Sequence, residues 1–451
     1  MKRFLFLMCA LFTINISAQN IHTGYNSNSF ILQSIANPSS FPNSDVVVGF
    51  PGLSNLSYGL QSPITLNELF TKGDDDSLRI DFPSLSSYLS DNNLLNIGGR
   101  NQLFYLGLKV GKKKNVFVYI GDEIVSDISI GVPGNLFDFL NAGNANSFNQ
   151  QINFNDQRFD ISIYNSLYVG VSSDINDKLN IGTRIKFLNG LANVNTQKLN
   201  LSIFTDSTSI PIFETTLKSD IQIQTSGLGL ITDTLNFDPL LNSGIGFDIG
   251  GSYKFNKELE LSFSINDIGV INWVEENNQF YTTNGEATYV LQGLTHSSSV
   301  DNDFEAQLDE ITDSLQLAME PYSSTGSYET KLNPSMFLGL AYEINDKHSL
   351  SFLFHSKKNL DGNLNVFNLG YQFSVAESLQ LLASYQNFNG LSNIGSGFVW
   401  SPGVLQMHLI LDNLLAADLF DTKSLFLQLG CSFQFGKKST VVRRSRRNGL
   451  R

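Results

Sequence analysis

From about residue 100 to its end the chain alternates apolar and polar residues with a period of two, in runs of about ten to fourteen residues. That period belongs to strands. The last run is the cleanest. Leu425, Leu427, Leu429, Cys431, Phe433 and Phe435 share one face, and Ser424, Gln428, Gly430, Ser432 and Gln434 the other, with Phe426 the exception. Leu179, Ile181, Ile185 and Phe187 alternate in the same way with Asn180, Gly182, Arg184 and Lys186. Leu259, Leu261, Phe263 and Ile265 do so with Glu260, Ser262, Ser264 and Asn266, and a further apolar row runs from Phe159 to Val171. Strands of soluble proteins average about five or six residues. A tilted strand crossing a bilayer needs about nine to eleven. Length, more than alternation, therefore predicts a membrane-spanning antiparallel barrel, all-β, of about 14 strands.

A repeated hairpin supports this reading. Gly170 to Ile181, Gly250 to Leu261, Gly339 to Leu350 and Gly370 to Leu381 each place a short polar turn between apolar-alternating runs. Three of the turns are Asn176-Asp177-Lys178, Asn256-Lys257-Glu258 and Asn345-Asp346-Lys347. Short turns at one rim and long loops at the other are what such a barrel requires. The spacing of the repeats is too irregular for a propeller or solenoid.

The start of the chain sets the compartment. Lys2 and Arg3, an apolar run from Phe4 to Ile14, and Ser17-Ala18 before Gln19 have the layout of a secretory signal peptide over residues 1–18. No later stretch is apolar enough for a spanning helix. Cys431 is then the only thiol left, so no disulfide staples the exported chain. Closed backbone hydrogen bonding in lipid is an alternative source of stability. The net charge is −13, and −15 once Lys2 and Arg3 are set aside. Residues 437–451 carry seven positive charges and no acid, which leaves the body before them at about −22. An acidic body argues against nucleic-acid binding.

Candidate functional residues are sparse. The five histidines are scattered, with no metal-type spacing, and there is neither a nucleophile elbow nor a phosphate loop. No enzyme activity and no cofactor are expected. The inward face should carry Arg184, Lys186, Asp160, Asp248, Lys254, Glu260 and His408, either as a selective constriction or as an ordinary solvated or mutually paired lumen. Long inserts at 61–99, 133–156 and 291–333 are loop candidates. The first holds Asp74-Asp75-Asp76 and a helical stretch around Leu85 to Leu95; the last holds an amphipathic run over 303–319. Val366-Phe367 places two outward-type residues side by side, which predicts a bulge. The basic tail at 437–451, with Arg443, Arg444, Arg446 and Arg447, follows the last strand on the periplasmic side, where anionic lipid or a periplasmic or secreted protein would meet it.

Near the start, Asn37-Pro38-Ser39-Ser40 is followed by Val46-Val47-Val48-Gly49-Phe50-Pro51-Gly52-Leu53. This arrangement resembles an uncharacterised family of Bacteroidota outer-membrane barrels. That family is similar in layout to long-chain fatty-acid transporter-type barrels and to type IX secretion shuttle barrels. The resemblance implies that residues 19–44 fold inward as an N-terminal plug turning at Asn37 and Pro38, with the barrel proper over 45–436. It supplies no catalytic residues. Passive transport of a small or hydrophobic ligand is the expected function, the alternative being an interaction barrel for secretion or surface assembly. Outer-membrane lipid is the partner of such a wall, and a last strand ending in the aromatic Phe435 is what barrel-insertion machinery is expected to recognise.

Overall fold

The computed structural model describes residues 22–436 apart from 28, 73–77, 81, 90–91, 143–146, 155–156, 209–213, 228–240, 275, 277, 284–286, 292–325, 361, 389–390 and 414–420. The signal-peptide region, Asp74-Asp75-Asp76, the run at 303–319 and the tail with Arg443, Arg444, Arg446 and Arg447 lie outside the described residues.

Fourteen strand positions close on themselves. They are β1 (Val46–Gly49 and Asn55–Gln61), β2 (Asn92–Val110), β3 (Val116–Pro133), β4 (Arg158–Asp174) and β5 (Leu179–Asp206). Next come β6 (Glu214–Ser226 and Ser243–Lys254), β7 (Leu259–Trp273, Asn278–Thr282 and Ala287–Leu291) and β8 (Tyr328–Lys331 and Ser335–Glu343). The remainder are β9 (His348–Asn359), β10 (Gly362–Ala376), β11 (Leu379–Phe388), β12 (Leu391–Trp400), β13 (Leu405–Asp412) and β14 (Ser424–Phe435). Each pairs antiparallel with the next, and β14 pairs back onto β1 through Val46↔Phe435 and Leu56↔Leu429. Closure leaves no unpaired edge, which is the condition for backbone to lie in lipid.

The wall is apolar outside and polar inside, the reverse of a soluble protein. In β14 every second side chain from Ser424 to Gln434 is buried, and the intervening Leu425, Leu427, Leu429, Cys431 and Phe433 face out. Phe187, Ile245, Leu369 and Tyr385 are about half exposed on the outer face. Tyr253, Phe255, Tyr342, Tyr371, Trp400 and Phe435 crowd the end bearing the short turns, as an interfacial aromatic girdle does.

Both ends of the barrel chain and all four Gly-turn hairpins lie at that one rim. The three Asn turns are built alike, because the Asn side chain accepts the backbone N–H groups two and three residues on (Asn176, Asn256 and Asn345). The described parts of the inserts lie at the opposite rim. There, Phe82–Tyr88 and Gly134–Ala142 are helical and pack together. The expected helix over Leu85 to Leu95 is thus shorter and earlier, since Asn92 onward is already β2. The expected bulge at Val366-Phe367 is absent. Val366 is buried and Phe367 exposed, with unbroken pairing to His355 and Phe354. An apolar residue is accepted inward because this part of the lumen is itself packed, as at Phe337 and Leu353.

Candidate functional site

Residues 22–44 touch strands all round the barrel from within. A segment this short can reach opposite walls only by lying inside them. Its centre is the helix α1 (Phe30–Ala36), sequence FILQSIA, in which every residue except Gln33 is buried, so its apolar side chains need walls on more than one side. Phe30, Ile31 and Ile35 pack with Tyr105, Phe117, Tyr119, Tyr168 and Phe337. Leu32 faces the other way, into Leu382, Val399 and Ile410.

The C-terminal carbonyls of a helix have no partner within it. Here the wall supplies partners. Arg184 donates to the Ile35 carbonyl at 3.0 Å, and Ser264 and Asn266 donate to the Ala36 carbonyl at 2.7 and 2.6 Å. A cation at this end is also favoured by the helix dipole. The chain then turns at Asn37-Pro38. The Asn37 carboxamide oxygen accepts from the Ser39 amide and hydroxyl at 2.9 and 2.8 Å, and the Ser40 amide closes onto the Asn37 carbonyl. Proline suits this turn because its φ is preset.

Behind α1 lies a buried cluster of six charges. Arg184 pairs with Asp248 at 2.8 Å, and Lys186 bridges Asp248 at 3.0 Å and also Asp267. Arg100 joins Glu123 at 2.6 Å and Asp267 at 3.1 Å. Three cations meet three anions, so the group is formally neutral. That balance is what makes its burial tolerable. A local irregularity in the wall creates it. Register slips between Phe247 and Ile249, and Asp267 on the facing strand adopts φ +61, so Asn266 and Asp267 both turn inward. The Asp267 N–H freed by the bulge is taken up by the Asp248 carboxylate at 2.7 Å. Beside the cluster a cavity of about 10 Å³, lined by Arg100, Asp267, Asn266, Ser57, Ser335 and Phe337, has room for about one water.

Upstream of α1 polar side chains of the wall hold the segment. His22 and His355 meet nitrogen to nitrogen at 2.9 Å, with the His355 ring stacked on Phe337. Thr23 donates to Asp412 and meets Ser384 and Gln386, all within 2.9 Å.

Of the residues singled out by sequence, Arg184, Lys186 and Asp248 come together, and Asn37 and Pro38 form the turn below them. Lys254 and Glu260 do not join. They stand partly exposed at the short-turn rim, 3.8 Å apart, because their strand positions fall at the last inward register before the turn. Asp160 also lies apart, on β4 away from the cluster. His408 is buried against Asn55 at 3.2 Å. Sequence reasoning missed Arg100, Glu123 and Asp267. The adjacent polar pair Asn266-Asp267 between Ile265 and Ile268 was the available signal, since it breaks the alternation.

Glycine makes room for the segment at two places. A β-carbon at Gly182 would overlap the Pro38 carbonyl, and one at Gly250 would overlap the Asn37 side chain. The Gly182→Ala and Gly250→Ala variants should each weaken docking of the segment by about 1–3 kcal/mol, a typical cost of overpacking. Limited proteolysis of residues 22–44 in the folded barrel measures this, and wild-type resistance in both variants would contradict it.

Among solved structures, the chain is similar to the Ralstonia pickettii toluene transporter TbuX at 8% identity and TM-score 0.43, covering 90% of this chain and 93% of that one. It is similar to a Pseudomonas aeruginosa FadL homologue at 9% identity and TM-score 0.45, covering 94% and 100%. The corresponding values for the Pseudomonas putida toluene transporter TodX are 10%, 0.42, 94% and 99%. No curated protein matches the sequence. The model of a family of unknown function, DUF5723, matches residues 38–412, which include Pro38 of the turn, the cluster and thirteen of the fourteen strand positions. The chain belongs to that family.

Proposed function

We propose that the protein is a passive outer-membrane transport barrel for a small or hydrophobic ligand, with residues 22–44 as its plug. The observation that supports this is how the segment is held. It adds no strand to the sheet. It is retained by separate side-chain bonds to its carbonyls, from Arg184, Ser264 and Asn266, by Asn37 and Thr23, and by apolar packing of α1. The wall closes without it, so it can leave while the barrel stays intact. Liposome swelling with a small neutral solute is the test. The full chain should admit solute slowly, and a barrel lacking residues 22–44 should admit it fast. Equal silence of both would remove transport and leave the interaction reading, which a filled lumen also suits.

Docking should respond to acid. Burial holds the His22 imidazole down at about 4, against an ordinary value near 6.5, with Gln386 opposing. The neutral ring therefore fits the docked state. Docking stability from this group is complete above about pH 6.5 and falls progressively as pH drops toward 4, because the released histidine binds the proton more tightly. The groups facing it are His355 and Gln386, and Lys357 acts on His355 in turn. Solute entry should rise between pH 6.5 and pH 4 and rise less in His22→Phe; a flat profile in the wild type would refute the linkage.

A further inference from the structure

We propose that a monovalent metal cation of about sodium's size binds where the plug meets β11 and β13, held by oxygens of Thr23, Ser384, Gln386 and Asp412. This rests on the docked segment described above, not on transport. Seven charged side chains are buried among the described residues. Six of them form the cluster behind α1, where they cancel. The seventh is Asp412, which is 1% exposed and makes no ion pair. A buried carboxylate with no counter-charge is costly, so it takes up either a proton or a cation.

Four oxygen-bearing side chains converge there, all of them buried. The Thr23 hydroxyl stands 2.6 Å from Asp412 Oδ1 and 2.6 Å from Ser384 Oγ. The Gln386 amide nitrogen is 2.9 Å from Thr23 Oγ1 and 3.2 Å from Ser384 Oγ, and the same amide faces Asp412. Register builds the wall side of this group, because Ser384 of β11 and Asp412 of β13 flank Gly395 of β12. A β-carbon at Gly395 would overlap Asp412 Oδ1 and Thr23 Oγ1, so glycine is what lets these oxygens gather over the backbone.

The number of acceptors favours a cation over a proton. Asp412 Oδ2 and Gln386 Oε1 are buried without a hydrogen-bond partner, and so is Oδ1 of Asn368, which pairs with Gln386 in register. A proton on Asp412 answers one acceptor, whereas a cation answers several at once. Turning the Gln386 amide about its last bond puts Oε1 where Nε2 stands, beside Thr23, Ser384 and Asp412. One carboxylate, one amide oxygen and two hydroxyls are hard donors. Their single negative charge is matched by one positive charge, and their close spacing suits a small ion. Thr23 belongs to the plug and the other three to the wall, so the ion bridges the two. By mass action an ion that binds the docked state holds the segment down.

The experiment uses the full exported chain in neutral detergent at about pH 8, above the range in which His22 titrates. Sodium chloride replaces choline chloride at constant ionic strength. The readouts are the line width of the sodium NMR signal and the rate at which a protease cuts within residues 22–44. The expected result is saturable broadening, with cutting slowed about tenfold once sodium reaches about ten times its dissociation constant. Asp412→Asn keeps an acceptor for Thr23 but has no charge to neutralise. Thr23→Val removes the plug's oxygen and leaves the wall intact. Both variants should lose the sodium response in both readouts, and a heat-modifiable gel shift equal to wild type establishes that each is folded. Equal cutting of the wild type in sodium and choline, or a full sodium response in either variant, would overturn the proposal. If that equal cutting were slow, docking would stand and Asp412 would hold a proton; if it were fast, docking would fail as well.

Discussion

A barrel deprived of residues 22–44 should conduct. Those residues supply Tyr25, Phe30, Ile31, Ile35 and Ala36 to the apolar packing inside the wall and Leu32 to the cluster on its other side. Removing them empties the lumen near the short-turn rim, where Ser172, Gly182, Gly250 and Ser264 now touch the segment. An eight-stranded barrel is filled by its own side chains, whereas barrels of sixteen to eighteen strands leave an aqueous channel. Fourteen strands lie between, so the lumen needs a filler that is not the wall itself. Single-channel current or solute influx should increase by roughly tenfold or more on deletion. The wall should survive, because its backbone hydrogen bonds run from β1 to β14 without the segment. A variant that keeps its heat-modifiable mobility yet stays silent would show that the inward side chains alone seal the barrel.

Asp248→Ala should be the most destabilising single change. Asp248 is wholly buried and holds Arg184, Lys186 and the Asp267 N–H. Its loss leaves buried cations without their counter-charge, a cost of about 3–5 kcal/mol. The urea midpoint for unfolding from lipid vesicles measures this. Asp248→Leu combined with Arg184→Met should recover most of the loss, because Lys186 and Arg100 still balance Glu123 and Asp267. Lys254→Ala at the exposed rim should change stability by less than about 0.5 kcal/mol. A wild-type midpoint for Asp248→Ala would mean that water, not ion pairing, satisfies the cluster.

The legible and the illegible parts of the chain differ for a physical reason. Side-chain alternation is local, so Leu425 to Phe435 and Leu179 to Phe187 reveal which face meets lipid without any knowledge of their neighbours. Turn chemistry is local too, and Asn176, Asn256 and Asn345 announced their hairpins. Arg184, Lys186 and Asp248 were readable as inward for the same reason. Their partners were not. Asp267 turns inward only because register slips between two strands, and its partner Arg100 on β2 is 167 residues away along the chain, with Glu123 of β3 joining through Arg100. The Val366-Phe367 reading failed because it assumed a polar interior, whereas the lumen there is packed with Phe337 and Leu353.

By itself, then, the sequence determined an antiparallel membrane barrel, its short-turn rim, and the basic tail that follows its last strand. Periodicity, turn residues and charge are properties of neighbouring residues and survive without coordinates. Only the tertiary structure decided that α1 docks through its orphan carbonyls onto Arg184, Ser264 and Asn266, and that six buried charges balance behind it. Those facts depend on which strands closure makes neighbours, and one strand's sequence does not contain its neighbour's register.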